Sequence, residues 1–116
     1  MTMKKKELIV TSALPYANGP LHFGHLLEHI QTDIWVRSQR ILGNHCIYLC
    51  ASDAHGTPIM MKAEEENIAP EKLVDKYMKT HKKTLEAFQV SHDCYYQTHS
   101  EENKKYSELI YNTALE

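Results

Sequence analysis

Two short apolar runs, Leu8-Ile9-Val10-Thr11-Ser12-Ala13-Leu14 and His45-Cys46-Ile47-Tyr48-Leu49-Cys50-Ala51, bracket a stretch of helical periodicity. That order restricts the fold more than any other feature of the chain. Each run has the length and β-branched content of a buried strand. From about Gly24 to Leu42, Leu27, Ile30, Ile34 and Ile41 recur at helical spacing, Leu26 and Trp35 widen the stripe, and Gly43 supplies a stop. Two apolar strands joined through a helix imply a βαβ unit with parallel pairing, so the predicted class is α/β. In such sheets ligands sit beyond the carboxyl ends of the strands, near helix N-termini. The loops Leu14–His25 and Ser52–Gly56 both fall on that edge and hold the unusual polar residues. One ligand could touch both.

The first loop, Pro15-Tyr16-Ala17-Asn18-Gly19-Pro20, is turn chemistry that cannot continue a strand. Thr57-Pro58 predicts a second helix with Thr at the cap and Pro in the first turn. Ala69-Pro70-Glu71 repeats the signal and starts a helix to about Phe88, with Leu73, Tyr77, Leu85 and Phe88 on one face. Cys94–Thr98 reads as a short strand, and Ser100-Glu101-Glu102 caps a last helix through Leu109, Ile110 and Leu115. Glu64-Glu65-Glu66 and Lys82-Lys83 read as solvated helix faces. With 116 residues and no repeat or linker, one domain is expected over the whole span 1–116.

Composition excludes several classes. Hydrophobic residues at 42% and charged residues at 24% are ordinary for a globular chain and argue against disorder. Thirteen Lys and Arg against fifteen Asp and Glu give a net charge of −2, without the basic excess that announces phosphate-backbone binding. No apolar run reaches the length of a membrane span, and Met1–Lys6 with Glu7–Leu14 makes no signal peptide. Cys46, Cys50 and Cys94 fit neither a zinc knuckle nor a CxxC redox pair, and are expected as reduced thiols of a cytoplasmic protein.

The eight His are ~3 times the rough expectation for this length. His22-Phe23-Gly24-His25 stands where the first loop becomes the first helix. A helix N-terminus attracts phosphate, two imidazoles can donate to its oxygens, and Gly24 allows a flat ring to approach the backbone. His45, His81, His92 and His99 are expected to be solvated or bonded to backbone.

Here the sequence resembles the methionyl-tRNA synthetase family of class I aminoacyl-tRNA synthetases, whose first signature is His-x-Gly-His after the first strand. Thr11-Ser12-Ala13-Leu14-Pro15-Tyr16-Ala17-Asn18-Gly19-Pro20-Leu21-His22-Phe23-Gly24-His25 is similar to that signature almost throughout. Glu28-His29-Ile30-Gln31-Thr32-Asp33, Asp53-Ala54-His55-Gly56-Thr57-Pro58-Ile59 and Thr98-His99-Ser100-Glu101-Glu102-Asn103 extend the likeness over essentially the whole chain. Phe23 departs from the family's usual Leu or Ile but stays apolar. Lys76-Tyr77-Met78-Lys79-Thr80 is only a faint echo of the second signature, Lys-Met-Ser-Lys-Ser, and is rejected because it lies mid-helix.

The resemblance implies the N-terminal part of a Rossmann-like, HUP-type parallel sheet with flanking helices, incomplete here. It implies ATP-dependent activation of methionine and transfer to tRNA(Met), with Mg²⁺ on the ATP. The second signature, the zinc ligands of the inserted domain and the helical anticodon domain are not in the chain, so a fragment, inactive alone, is expected. His22 and His25 match catalytic positions, and with Gly24 they match the ATP-binding signature, with Asn18 and Glu28 nearby. Leu14 and Tyr16 match the methionine pocket, and Asp53 matches the carboxylate that holds the α-ammonium. No metal ligands and no membrane contact are implied. Two rival readings remain: a small His-x-Gly-His nucleotidyltransferase, and a metal site built from His22, His25, His29, Asp53 and His55.

Overall fold

A computed structural model describes residues 5–115; Met1–Lys4 of the basic start, and Glu116, lie outside the described residues. Three strands, β1 (Glu7–Thr11), β2 (His45–Ser52) and β3 (Cys94–Gln97), form a parallel sheet in the order β1-β2-β3. Helices α1 (Phe23–Ile41), α2 (Thr57–Glu65), α3 (Pro70–Ala87) and α4 (Glu101–Leu115) connect and follow them. The predicted α/β class and the parallel βαβ unit are both present.

The core lies on one side of the sheet. Cys46, Tyr48, Cys50 and Ser52 alternate inward along β2, and Leu26 and Val36 of α1 and Leu85 of α3 pack with them. Burying side chains such as Val36, Tyr48 and Leu85 contributes roughly 1.5–3 kcal/mol each. A second cluster, Ala17, Ala54, Ile59, Ala63, Leu73 and Val74, seats α2 and α3 against the first loop. Ile9 points to the opposite side of β1 and is exposed.

Four local expectations need correction. The first apolar run leaves the sheet after Thr11, where the Ala13 N–H turns to the Glu28 carboxylate instead of a neighbouring strand; pairing resumes at an isolated parallel bridge between Tyr16 and Asp53. The face of α1 is rotated from the apolar stripe: Leu26, His29, Asp33 and Val36 are buried, while Leu27 (60%), Ile34 (62%), Trp35 and Ile41 are exposed. Two polar residues hold the inner face because partners meet them there. Asp33 Oδ1 accepts from the Ser91 N–H at 2.7 Å and its Oδ2 from Arg37 at 2.6 Å, and His29 meets Tyr48 and His92. The third correction is Gly56, not Thr57, at the N-cap of α2, without a side-chain cap bond. Finally, Phe88 ends α3 exposed rather than on the inner face. At α4, Ser100 caps as expected, its Oγ accepting the Asn103 N–H at 3.1 Å.

Candidate active site

The carboxyl edge of the sheet gathers the first loop, the start of α1, and the segment after β2. Asp53 N–H donates to the Pro15 carbonyl and Ala17 N–H donates to the Asp53 carbonyl, both at 2.8 Å. This rung holds the first loop as an extra piece of strand. Pro15 and Ala17 are buried while Leu14 and Tyr16 are exposed, so the latter two share the open side. Partners on a parallel rung face the same way, which puts Tyr16 and Asp53 side by side.

Gly56 sits against the Tyr16 ring with φ +117°, a backbone conformation that L side chains rarely adopt. A β-carbon there would lie 3.8 Å from Tyr16 Oη. Thr98 Oγ1 accepts the Ala54 N–H at 2.9 Å and lies 3.4 Å from both Asp53 Oδ1 and His55 Nδ1. His55 Nε2 in turn meets His99 Nδ1 at 3.2 Å. Beside this group opens a cavity of about 670 Å³ whose lining includes His55, Thr98, His99, Asn103 and Lys104.

The start of α1 is closed by its own histidines. His22 is the N-cap; its Nδ1 accepts the Gly24 N–H at 3.1 Å, and His25 Nδ1 accepts the His22 N–H at 3.2 Å. A nitrogen that accepts carries no proton, so in the neutral rings the hydrogen is on Nε2 of both residues. The cap therefore turns out two N–H donors, in rings stacked with centroids 3.7 Å apart. Burial lowers the pKa of His25, and His22 and His81 lower it further while Glu28 opposes them. The neutral form is the one this cap requires.

Two details differ from the sequence reading. The helix start was expected to offer its N–H groups to phosphate, and the Gly24 N–H is instead occupied by His22. The ring that needs Gly24 is His22 itself, since a β-carbon would lie 2.9 Å from its Cε1. Glu28 reaches from α1 to the segment after β1, where its Oε1 accepts the Ala13 N–H at 2.6 Å and fixes the loop just before Leu14. Asn18 lies half-buried in the turn between the rung and the helix.

The five residues of the metal reading do not come together. Among the described residues the group of ligand type that does is His29, Cys50 and His92, with ligand atoms within 4.8 Å of one another. It is a polar knot in the core: His29 Nδ1 meets His92 Nε2 at 3.4 Å, and Tyr48 Oη bridges to Ser12. Burial pushes the Cys50 thiol up to about 11 and, with His29 beside it, the His92 pKa down to about 4. All three stay neutral near pH 7.

His81 and His92 were expected to be solvated or bonded to backbone; His81 does bond a backbone carbonyl but also a buried side chain, and His92 meets the His29 ring. His81 is fully buried, bonded to Ser52 on one side and to the Gly19 carbonyl on the other. Its spacing on α3, four residues from Tyr77 and from Leu85, was the available signal.

The chain matches the family described as "tRNA synthetases class I (M)" over residues 8–116. It is 56% identical over 108 residues to a protein of Leptospira biflexa serovar Patoc named methionine--tRNA ligase, covering 93% of this chain and 16% of that protein. A methionine--tRNA ligase of Wigglesworthia glossinidia brevipalpis is 54% identical over 107 residues, 92% of this chain and 20% of that one. A crystal structure of Mycobacterium tuberculosis methionyl-tRNA synthetase bound by methionyl-adenylate superimposes with a TM-score of 0.80 at 26% identity, covering 84% of this chain and 19% of that one. The chain thus spans between a sixth and a fifth of the length of the curated relatives it matches.

Proposed function

The chain belongs to the class I (M) tRNA synthetase family, and from that premise we propose that residues 1–116 form the N-terminal portion of the catalytic domain of a cytoplasmic methionine–tRNA ligase. Its substrates are methionine and ATP with Mg²⁺, and tRNA(Met) is the acceptor. Tyr16 and Leu14 offer the open apolar side of the rung to the methionine side chain, where an aromatic ring suits a thioether. Asp53, on the same rung, takes the α-ammonium in a charge-assisted contact. His22 and His25 present their Nε2–H groups to the phosphates of ATP. Gly24 makes room for that arrangement, and Asn18 and Glu28 hold the turn on either side.

In the reaction the methionine carboxylate oxygen attacks the α-phosphorus of ATP, and the bond to the bridging oxygen breaks to release pyrophosphate. A ribose hydroxyl of the tRNA then attacks the carbonyl carbon of methionyl-adenylate, releasing AMP as the hydroxyl proton departs. Neither step needs a protein nucleophile. Positioning and stabilisation of the charge that builds on the phosphate oxygens carry the catalysis. Donors fixed in place before the reaction serve that end better than mobile ones, because they need no reorganisation.

The single observation that carries this reading is the reciprocal cap. It fixes the tautomer of both rings at the start of α1, at the same carboxyl edge of the sheet as the rung that sets Tyr16 next to Asp53. The test is methionine-dependent ATP–pyrophosphate exchange by a complete ligase containing this sequence, compared with leucine, isoleucine and valine as substrates. Exchange of equal efficiency with any of these, or none with methionine, overturns it.

A further inference from the structure

Beneath the first loop, side chains from three elements form one buried chain of hydrogen bonds. Tyr95 Oη of β3 lies 2.9 Å from Ser52 Oγ at the end of β2, and Ser52 Oγ lies 2.9 Å from His81 Nδ1 of α3. His81 Nε2 then lies 2.7 Å from the Gly19 carbonyl oxygen. The last contact sets the direction of all the others. A carbonyl can only accept, so Nε2 carries the hydrogen. The neutral ring then accepts at Nδ1, the Ser52 hydroxyl must donate to it, and Tyr95 must donate to Ser52. Burial lowers the pKa of His81 and raises that of Tyr95 to about 12, so both groups hold the protonation this chain needs.

We propose that His81 is a positioning residue of the ATP-binding loop, its Nε2–H drawing the Gly19 carbonyl inward and so setting how the chain enters the His22 cap. This rests on the reading of the site given above. The transmission is short. Only Pro20 and Leu21 separate Gly19 from His22; the proline ring fixes its own φ, and Leu21 packs against the core. On the other side, the Ala17 N–H is already held by Asp53. His81 is therefore a side-chain tie on the stretch between the rung at Ala17 and the cap at His22. Misplacing reacting groups by about 1 Å can cost roughly 100-fold in rate, so such a tie bears on catalysis without touching substrate.

Two substitutions separate positioning from packing. In His81→Gln the side-chain amide nitrogen falls near the place of Nε2 and can still donate to Gly19. In His81→Asn the amide falls near Nδ1, keeps an acceptor for Ser52 and loses the tie. The first readout, on this chain, is amide hydrogen exchange at Gly19, Leu21 and Phe23. The second, in a complete ligase containing the sequence, is KM for ATP and for methionine. His81→Asn is expected to speed loop exchange and raise the ATP KM by about tenfold, with the methionine KM little changed, while His81→Gln stays within about threefold on both. Equal effects of the two variants, or none from His81→Asn, overturn the proposal. If both variants unfold, the unaltered chain decides: its imidazole nitrogen spectrum must show His81 protonated at Nε2 and bare at Nδ1, and any other form at neutral pH overturns it. Should the loop readout separate the variants while methionine-dependent exchange is absent altogether, the functional reading fails and the positioning of the loop stands.

Discussion

His25 accepts the backbone N–H of His22 through Nδ1 at 3.2 Å, so each of the two rings owes its tautomer to the chain beside it rather than to a ligand. The donors are set before any phosphate arrives. Gly24 is what allows this, and Gly24→Ala places a β-carbon against the His22 ring. Alanine gains up to about 1 kcal/mol in helix propensity, and loss of the cap costs about 1 kcal/mol. The two nearly offset, so the melting temperature should move little. The imidazole spectrum of His22 should instead change from one tautomer to a mixture. An unchanged Nε2–H tautomer would show that the ring does not depend on that space.

Asp53→Ala separates the two substrates. If the carboxylate holds the α-ammonium, its loss should cost on the order of 2–5 kcal/mol of methionine binding, with ATP binding little affected. His25→Asn should mainly slow adenylate formation, because a donor aimed at developing charge acts most in the transition state. Pre-steady-state adenylate formation at varied methionine and varied ATP measures both. Weakened ATP with intact methionine affinity in Asp53→Ala would reassign the carboxylate to the nucleotide.

The Glu28 contact with the Ala13 N–H should be worth about 1–2 kcal/mol, since an ionised acceptor meets a backbone donor. Glu28→Ala should lower stability by that amount and speed hydrogen exchange at Ala13, while Glu28→Gln keeps an acceptor and loses about half as much. Urea unfolding with amide exchange reads both. Equal losses in the two variants would point to packing in place of the hydrogen bond.

Acid should weaken the fold through His92. Its folded pKa is about 4 against 6.5 for the ordinary group. Below pH 6.5 the unfolded chain binds a proton that the folded chain refuses, so stability falls as pH drops from 6.5 to about 4 and then levels. The loss should be on the order of 2 kcal/mol after allowing for partial exposure. His92→Phe should flatten this part of the curve. The same slope in the variant would place the titration on His25, His29 or His81, whose pKa values are also lowered.

Apolar runs and turn residues made the order of elements and the parallel sheet legible, because strands buried in a parallel sheet are written as continuous hydrophobic stretches. The His22–His25 start and the Asp53 segment were legible as a site for the complementary reason: polar residues gathered at one sheet edge. The inner face of α1 was not. Periodicity counts His29 and Asp33 as outward, and only tertiary partners such as Ser91 and Tyr48 make them inward residues. His81 was missed for the same reason. Its helical spacing could mark it as an inward residue, but its two partners lie 29 and 62 residues away in the chain, where no local pattern names them.

The parallel rung joining Tyr16 to Asp53 turns a question of recognition into one of lattice spacing. Neighbouring strands stand about 4.8 Å apart wherever a sheet is formed. If one position meets the side chain of an amino acid and the other its ammonium group, the separation of those contacts is a constant of the backbone ladder, indifferent to loop mobility. Selectivity for the length of a substrate would then have to be adjusted elsewhere, by what closes over the rung, because the rung itself has no freedom to stretch.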